Sequence, residues 1–504
     1  MGRNSLYVIG IGGTGAKCLE AITHIASVGL LTDSEVKFLF VDADETNGNL
    51  ERTRSSLNIY NRTHHLIAAQ GDNISWVKTP INSYTPDIWS PFSNTSTNKN
   101  LGSFFGYNHL QQGDSGLGDL FDFLYTQEER EVNLDVGFRG NPAIGAAVMG
   151  NLDLDYLEED PWAGLIYDIF SDVGRGQTPR IFLCGSIFGG TGTAGLTTLG
   201  RLIYNKLQDE KILGVKIACL FLLPYFGFSQ PIEKDANNRG VYAGSEQFLL
   251  NTELALRHYS SQNKYFDTVY ILGNHNLSNY DFSIGKSTQK NEPHFLELYA
   301  SLAARHFLTE TAQGKNAVVL NSRKSTMGIT WDDLPNTTET KSKLVNATRF
   351  AYVWLSNIAP ELDYGNREEL AKLSRYTLNF YRPQAGGLSS LFNKKGEDYP
   401  NFYDAVEQQK ISDITEWCQD YLRWLLGIHK CDGDNIQLFQ DEILSNLNDQ
   451  GANLGELILD DNRDRNTKQQ DTVQRLHRQL AEFSSSEKGT VGLAKALYKV
   501  CNLL

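Results

Sequence analysis

Two glycine-rich loops and a pair of aspartates carry most of the chemistry that this 504-residue sequence offers. The first loop, GIGGTG, holds Gly10, Gly12, Gly13, Thr14 and Gly15; the second, GGTGTAG, holds Gly189, Gly190, Thr191, Gly192 and Thr193. Each follows a short apolar run, LYVI or RIFLC, and opens a segment of helical spacing. Glycines at such a junction let successive backbone N–H groups close on an anion, and the helix start adds partial positive charge. The threonine hydroxyls supply further donors. Asp42 and Asp44 end a third apolar run, VKFLFV. Two loops of this kind in one chain predict a phosphate chain held from two sides.

The elements that must position these loops read as an α/β domain. SLYVIG, VKFLFVDADE, RIFLCG, VKIACLFLLP and DTVYILGN are apolar runs of strand length, as expected of a mostly parallel sheet buried on both faces. Helical segments such as GAKCLEAITHIASVGLL, TAGLTTLGRLIYNKL and GSEQFLLNTELALRHYS alternate with them, which predicts a doubly wound fold. Between Asp44 and about Phe138 the pattern weakens into Asn, Ser, Gly and aromatic residues, read as loops and short elements. HFLELYASLAARHFLTET, His294 to Thr311, reads as a long central helix. A smaller α+β region follows, with NAVVLNS and RFAYVWLS as strands, and from about Tyr399 the chain reads as mainly helical. The expected division is a nucleotide-binding domain over 1–290 with an insertion at about 47–136. The central helix then spans 291–312, the smaller domain 313–398 and a helical C-terminal extension 399–504.

Composition narrows the classes. A hydrophobic content of 40% with 21% charged residues is ordinary for a globular protein. No apolar run is long enough for a membrane span, and MGRNSLYVIG enters a strand too early for a signal peptide. Leu6 stands where an N-myristoylation motif needs Ser or Thr. A net charge of −14 speaks against general nucleic-acid binding, and the mixed stretch NRDRNTKQQDTVQRLHRQ reads as a solvated helix face. The six cysteines form no C-x-x-C pair, which predicts a reducing, cytoplasmic setting. CDGDNIQLFQDE lacks the glycine and ligand order of a calcium loop. The histidines make neither a metal site nor a triad.

Taken alone, GIGGTG satisfies most of the dinucleotide fingerprint, leaving open an NAD or FAD enzyme or a ThiF-like adenylating enzyme. That reading leaves GGTGTAG unexplained. The second loop is not a P-loop, since no G-K-[ST] follows and no lysine is expected to reach a phosphate.

A lysine-free Gly/Thr loop after a mid-sheet strand resembles the G-G-G-T-G-[ST]-G signature of the tubulin/FtsZ superfamily, with Phe188 at its first glycine and Ala194 at its last. The other loops fall into the family's order. GIGGTGAK resembles its first phosphate loop, LFVDADET its second, and RGNPAIGAA its third, G-x-N-P-x-x-G. The resemblance runs over about 5–312, and the long stretch between loops two and three points to a divergent prokaryotic tubulin-like protein.

The resemblance implies GTP or GDP with magnesium. Gly10, Gly12, Gly13, Thr14 and Gly15 would lie on one side of the phosphates and Gly189, Gly190, Thr191, Gly192 and Thr193 on the other. Gly140 and Asn141 would border the γ-phosphate, with Asp42 and Asp44 beside the metal. Asn274 and Asn276 would meet the guanine edge, and Tyr299 would stack on the base. Family members complete hydrolysis between subunits with an acid from a seventh loop; its motif is absent here, and Asp332 and Asp333 in GITWDDLPN are the nearest candidates. The implied activity is a slow GTPase assembling head-to-tail into filaments. The alternative is a nucleotide-responsive scaffold that binds GTP or GDP without efficient hydrolysis and docks a partner protein through the insertion or the C-terminal helices.

Overall fold

The computed structural model describes residues 4–68, 74–92, 99–113, 115–153, 157–228, 244–261, 265–281, 285–309, 317–319, 328–362, 377–381, 399–431, 433–448, 452–461, 463–483 and 487–502. Besides a short parallel pair, Ile329–Thr330 with Ile436–Gln437, its strands are β1 (Asn4–Ile11), β2 (Ser34–Val41), β3 (Ile81–Trp89), β4 (Arg180–Ser186), β5 (Lys216–Leu222), β6 (Phe226–Phe228), β7 (Thr268–Leu272), β8 (Ser278–Tyr280) and β9 (Ala317–Val319). Seven of them form one sheet in the order β3-β2-β1-β4-β5-β7-β9, and every neighbouring pair is parallel. The remaining two, β6 and β8, pair with each other beside it.

Alternation along the strands explains why their sequences are apolar throughout. Leu6 and Val8 of β1 enter one core, while Tyr7, Ile9 and Ile11 enter the other. Likewise Phe182 and Cys184 of β4 face one side, Ile181 and Leu183 the opposite side. Successive side chains leave a strand on opposite faces, so a sheet buried on both must be apolar at every position.

The principal helices are α1 (Gly12–Ser27), α2 (Gly48–Ile67), α3 (Pro142–Gly150), α4 (Trp162–Gly174), α5 (Gly190–Asp209), α6 (Phe248–Ser261), α7 (Phe295–Thr309), α8 (Thr337–Val353), α9 (Ala405–His429) and α10 (Gly489–Asn502). Apolar residues of α1, α2 and α7 share the first core; those of α3, α4 and α5 share the second. The C-terminal helices add to the first core without a break. Trp76, just before β3, stacks on Tyr498 of α10 at 5.1 Å and meets Trp417 of α9 edge-on at 5.3 Å.

Three segments differ from the sequence-based expectation. RFAYVWLS, read as a strand, completes α8 and a following π-turn. Every residue from Leu344 to Val353 is buried, so the helix has no polar face there, and an apolar run without periodicity looks like a buried strand. The stretch after Asp44, read as loops and short elements, begins with the twenty-residue α2 and the strand β3. Pro86 sits within β3, which a sheet edge tolerates because one side of the strand needs no ladder donors. Short helices do follow, over Leu101–Phe104, Tyr107–Gly113, Ser115–Leu124 and Gln127–Glu131. Of NAVVLNS, Ala317–Val319 is the far edge strand of the main sheet, and the rest lies outside the described residues.

All six cysteines are buried free thiols. Among the described residues no helix is long and apolar enough to cross a membrane.

Candidate functional site

The chain runs outward from β1 through β2 to β3, then returns to the middle of the sheet for β4 and proceeds the other way. Where the direction reverses, the loops leaving β1 and β4 separate and open a crevice at the strands' carboxyl ends. The two glycine loops are those loops. In register, Ile11 at the end of β1 pairs with Gly185 of β4, so α1 and α5 start side by side.

Neither helix start is capped by a side chain. The N-cap positions are Ile11 for α1 and Gly189 for α5, and neither offers an oxygen to the first turn. By contrast α2 is capped by Asn47, whose Oδ1 accepts from Asn49 N–H at 2.9 Å. The first turn of a helix leaves N–H groups that need acceptors, and two such turns here face a common space.

That space is a cleft of about 970 Å³, counting its open mouth. Gly12, Gly13 and Thr14 line it from the first loop and Gly189, Gly190, Thr191 and Gly192 from the second. Asp42 and Asp44 line it from the end of β2, Gly140 from the third loop. The packing leaves no room for side chains at several glycines. A Cβ on Gly192 would fall 2.2 Å from the Ser186 carbonyl oxygen, and one on Gly190 2.7 Å from Phe138 Cβ. Gly12 has φ +73°, a left-handed conformation that favours glycine, and its missing Cβ would face Thr191 Cβ at 3.5 Å.

Other predicted loop residues build the walls without lining them. Gly10 and Gly15 pack backbone against backbone: a Cβ on Gly15 would lie 2.6 Å from the Gly10 carbonyl carbon. Thr193 Oγ1 bonds back to the Gly189 carbonyl. Asn141 caps α3, accepting from Ala143 N–H at 3.0 Å, and donates to Glu129 at 3.1 Å. Phe188, at a position where the resembling motif has glycine, does line the cleft and packs among Tyr225, Phe226 and Phe248.

The two aspartates differ in environment. Burial, and then the neighbouring Asp44 charge, raise the Asp42 carboxyl to about 7. Its Oδ1 meets Thr191 Oγ1 at 3.4 Å and the Asp44 N–H at 3.3 Å. Asp44 accepts from Thr46 N–H and Oγ1 at 3.1 and 2.9 Å and from Lys286 N–H at 2.6 Å. Among the described residues no three His, Cys, Asp or Glu side chains cluster as a metal cage. Asp42 and Asp44 are the side chains here that would hold a cation, and two carboxylates suit a hydrated magnesium ion.

The structure does not bring the predicted base-contacting residues to the cleft, and the two candidate acids, expected to serve a neighbouring copy, also lie outside it. Asn274 and Asn276 hold a turn of the C-terminal region: Asn274 Nδ2 donates to Asp434 Oδ2 at 2.5 Å, and Asn276 Nδ2 to the Gly433 carbonyl at 2.6 Å. Tyr299, 9% exposed, donates from its hydroxyl to the Asp333 carbonyl at 2.7 Å. The Asp333 carboxylate caps its own turn, accepting from Thr330 N–H at 2.8 Å and Oγ1 at 3.0 Å. Asp332 is exposed. Each amide or ring has a structural partner, which its sequence context alone could not distinguish from a ligand.

The cleft also contains groups the sequence reading passed over. Lys17 of α1 lines it, although it belongs to the first loop's helix and not to the second loop, where no lysine follows. The signal was present in GIGGTGAK, because Lys17 lies one helical turn beyond Gly13 and shares its face. Asn47, Asn49, Gln289 and Asn291 form an amide wall at the start of α2, with Asn47 Nδ2 donating to Gln289 Oε1 at 3.0 Å and Asn291 N–H to Asn49 Oδ1 at 2.9 Å. Phe188, Phe226, Phe228 and Phe248 form an aromatic wall. No sequence signal joins 47–49 to 289–291; only the fold does.

No family model and no curated protein matches the chain. Matching solved structures include a helical model of the TubZ-Bt two-stranded filament, at 13% identity and a TM-score of 0.21 over 54% of this chain and 46% of that one. A GTPγS-form protofilament of Bacillus thuringiensis serovar israelensis TubZ matches at 13% identity and a TM-score of 0.20, over 54% of this chain and 48% of that one. The matched stretch spans about half the length of those chains. Likeness at this level carries no argument about activity or assembly, which must come from the cleft itself.

Proposed function

We propose that this protein is a tubulin-like GTP-binding protein that associates head-to-tail with further copies of itself and hydrolyses GTP slowly. The observation that carries the nucleotide reading is the pair of uncapped, glycine-built helix starts, α1 and α5, facing one cleft at the point where the sheet order reverses. Their N–H groups and the Thr14 and Thr191 side chains suit phosphate oxygens. Asp42 and Asp44 would hold magnesium, which supplies charge neutralisation to the phosphates when bound. A purine would find hydrogen-bonding groups in the amide wall and stacking surfaces in the aromatic wall of the same cleft.

Head-to-tail association follows the family resemblance, with Asp332 as the acid exposed to a neighbouring copy. A heterologous contact of that kind gives an open filament when the rotation does not close a ring. One observation favours the second reading, a scaffold that binds without turnover: Asp333 spends its carboxylate on its own turn, leaving a single acid.

The test is GTP and ATP hydrolysis as a function of protein concentration, with pelleting in parallel, for wild type and Asp332→Ala. GTP turnover with a concentration threshold, lost in the variant, supports the polymerising GTPase. GTP binding with neither turnover nor pelleting supports the scaffold. Binding of neither nucleotide refutes the cleft assignment.

A further inference from the structure

The floor of the cleft holds a cation whose bonding is incomplete. Lys17 is 1% exposed and yet lines the cleft together with Gly13 and Thr14. Side chains on a helix lean toward its N-terminus, and positions three and four apart share a face, so the Lys17 stem runs beneath those two residues toward the open end of α1. There the first-turn N–H groups already favour negative charge.

Lys17 Nζ lies 2.5 Å from Glu297 Oε1 of α7, an ion pair on one side of the ammonium, and among the described residues no further acceptor meets its other protons. Its other near neighbours are the faces of Tyr225 and Tyr280, at 5.8 and 5.6 Å. Rings attract a cation without replacing a hydrogen-bond acceptor. An ammonium has three donors, and one carboxylate oxygen cannot satisfy them.

Glu297, in contrast, is well provided. Tyr225 donates from its hydroxyl to Oε1 at 2.8 Å, and His294 N–H to Oε2 at 2.9 Å. Burial, and then the Lys17 charge, hold the His294 imidazole well below its usual range, so it is neutral and does not compete as a cation. Arg139, the other basic residue lining the cleft, already donates to the Asn133 carbonyl at 3.1 and 3.2 Å.

We propose that Lys17 contacts the phosphate groups of the bound nucleotide, and that Glu297 of α7 competes with the ligand for its ammonium. This rests on the cleft being a nucleotide site and adds to it the residue that reads phosphate charge. Glu297 keeps two donors when the ammonium leaves, and these offset part of the cost of separating the buried pair. Phosphate occupancy is thereby felt on that helix.

The experiment is calorimetric titration of GTP, GDP and guanosine into wild type, Glu297→Gln and the double variant Lys17→Met/Glu297→Gln, with melting curves for each. The double variant avoids stranding a buried carboxylate. Loss of a charge-assisted contact predicts about 10- to 100-fold weaker GTP binding in the double variant, with guanosine affinity unchanged. Glu297→Gln alone, which releases Lys17, binds GTP more tightly than wild type. A folded double variant that keeps wild-type GTP affinity overturns the role of Lys17, as does a Glu297→Gln protein with GTP affinity equal to or weaker than wild type. No nucleotide binding by wild type overturns both this inference and the nucleotide reading, which separates the two failures.

Discussion

Thr191 of the second loop and Asp42 at the end of β2 meet at 3.4 Å, hydroxyl to carboxyl oxygen, across the cleft. The contact ties the two halves of the reversed sheet at the point where a phosphate-bound cation would sit. It also places a carboxyl raised to about 7 where a divalent ion would favour its ionised form. Asp42→Asn removes the charge and keeps the shape. We expect magnesium to raise the melting temperature of the GTP-saturated wild type and to leave Asp42→Asn unchanged. Chelation by EDTA should reverse the wild-type shift. Equal magnesium responses in the two proteins would remove Asp42 from the metal site.

The glycines of the two loops differ in what they protect. At Gly192 a Cβ would strike the Ser186 carbonyl at 2.2 Å, so Gly192→Ala must displace β4 or α5. Overpacking of this kind costs about 1–3 kcal/mol, and we expect a lowered urea midpoint together with lost binding. At Gly12 a Cβ would make only ordinary contact, with Thr191 Cβ at 3.5 Å, and the cost is the left-handed φ of +73°, about 1–2 kcal/mol. Gly12→Ala should stay folded and bind GTP more weakly. Equal effects at both positions would contradict this division.

Acid should weaken the junction between α1 and the C-terminal helix α9. Glu20 is buried, which alone would raise its carboxyl, but the guanidiniums of Arg52 and Arg423 prevail and hold it at about 2. His24, stacked on Trp424 at 4.7 Å and 3.7 Å from Asp420, is held by burial at about 4. Both folded-state values lie below the unfolded ones, so the stability each contributes is present at neutral pH and lost as pH falls. His24 acts between about 6.5 and 4, and Glu20 between about 4.5 and 2. Urea midpoints measured from pH 7 down to pH 4 should fall, and His24→Gln should flatten the upper part of that fall. A midpoint independent of pH over this range would refute the assignment.

Tyr299 separates a packing role from a ligand role. Its hydroxyl bonds the Asp333 carbonyl at 2.7 Å, and its ring meets Phe295 edge-on at 6.2 Å. Tyr299→Phe should cost about 1 kcal/mol of stability and leave GTP affinity unchanged. Tyr299→Leu, which removes the ring, should also leave the affinity unchanged once folding is corrected for. Weaker binding in the Leu variant would restore the stacking role that the sequence suggested.

The sequence by itself determined the sheet strands and the phosphate loops, because both are written locally. Runs such as RIFLC must be apolar at every position to lie in a sheet covered on both faces, and glycine is favoured at Gly12 by its left-handed φ and required at Gly192 by the Ser186 backbone. Local signals stopped at α8, where burial on all sides erased the helical period, and at β3, where an exposed edge strand carries Pro86. Tertiary structure alone decided which polar groups share the cleft. Asn49 meets the segment at Asn291, while Asn274 turns to Asp434 and Tyr299 to Asp333. Lys17 is drawn against Glu297 from a different helix. An amide or an ammonium looks the same in sequence whether its partner is a ligand or a distant loop, and only the packing of the chain chooses between them.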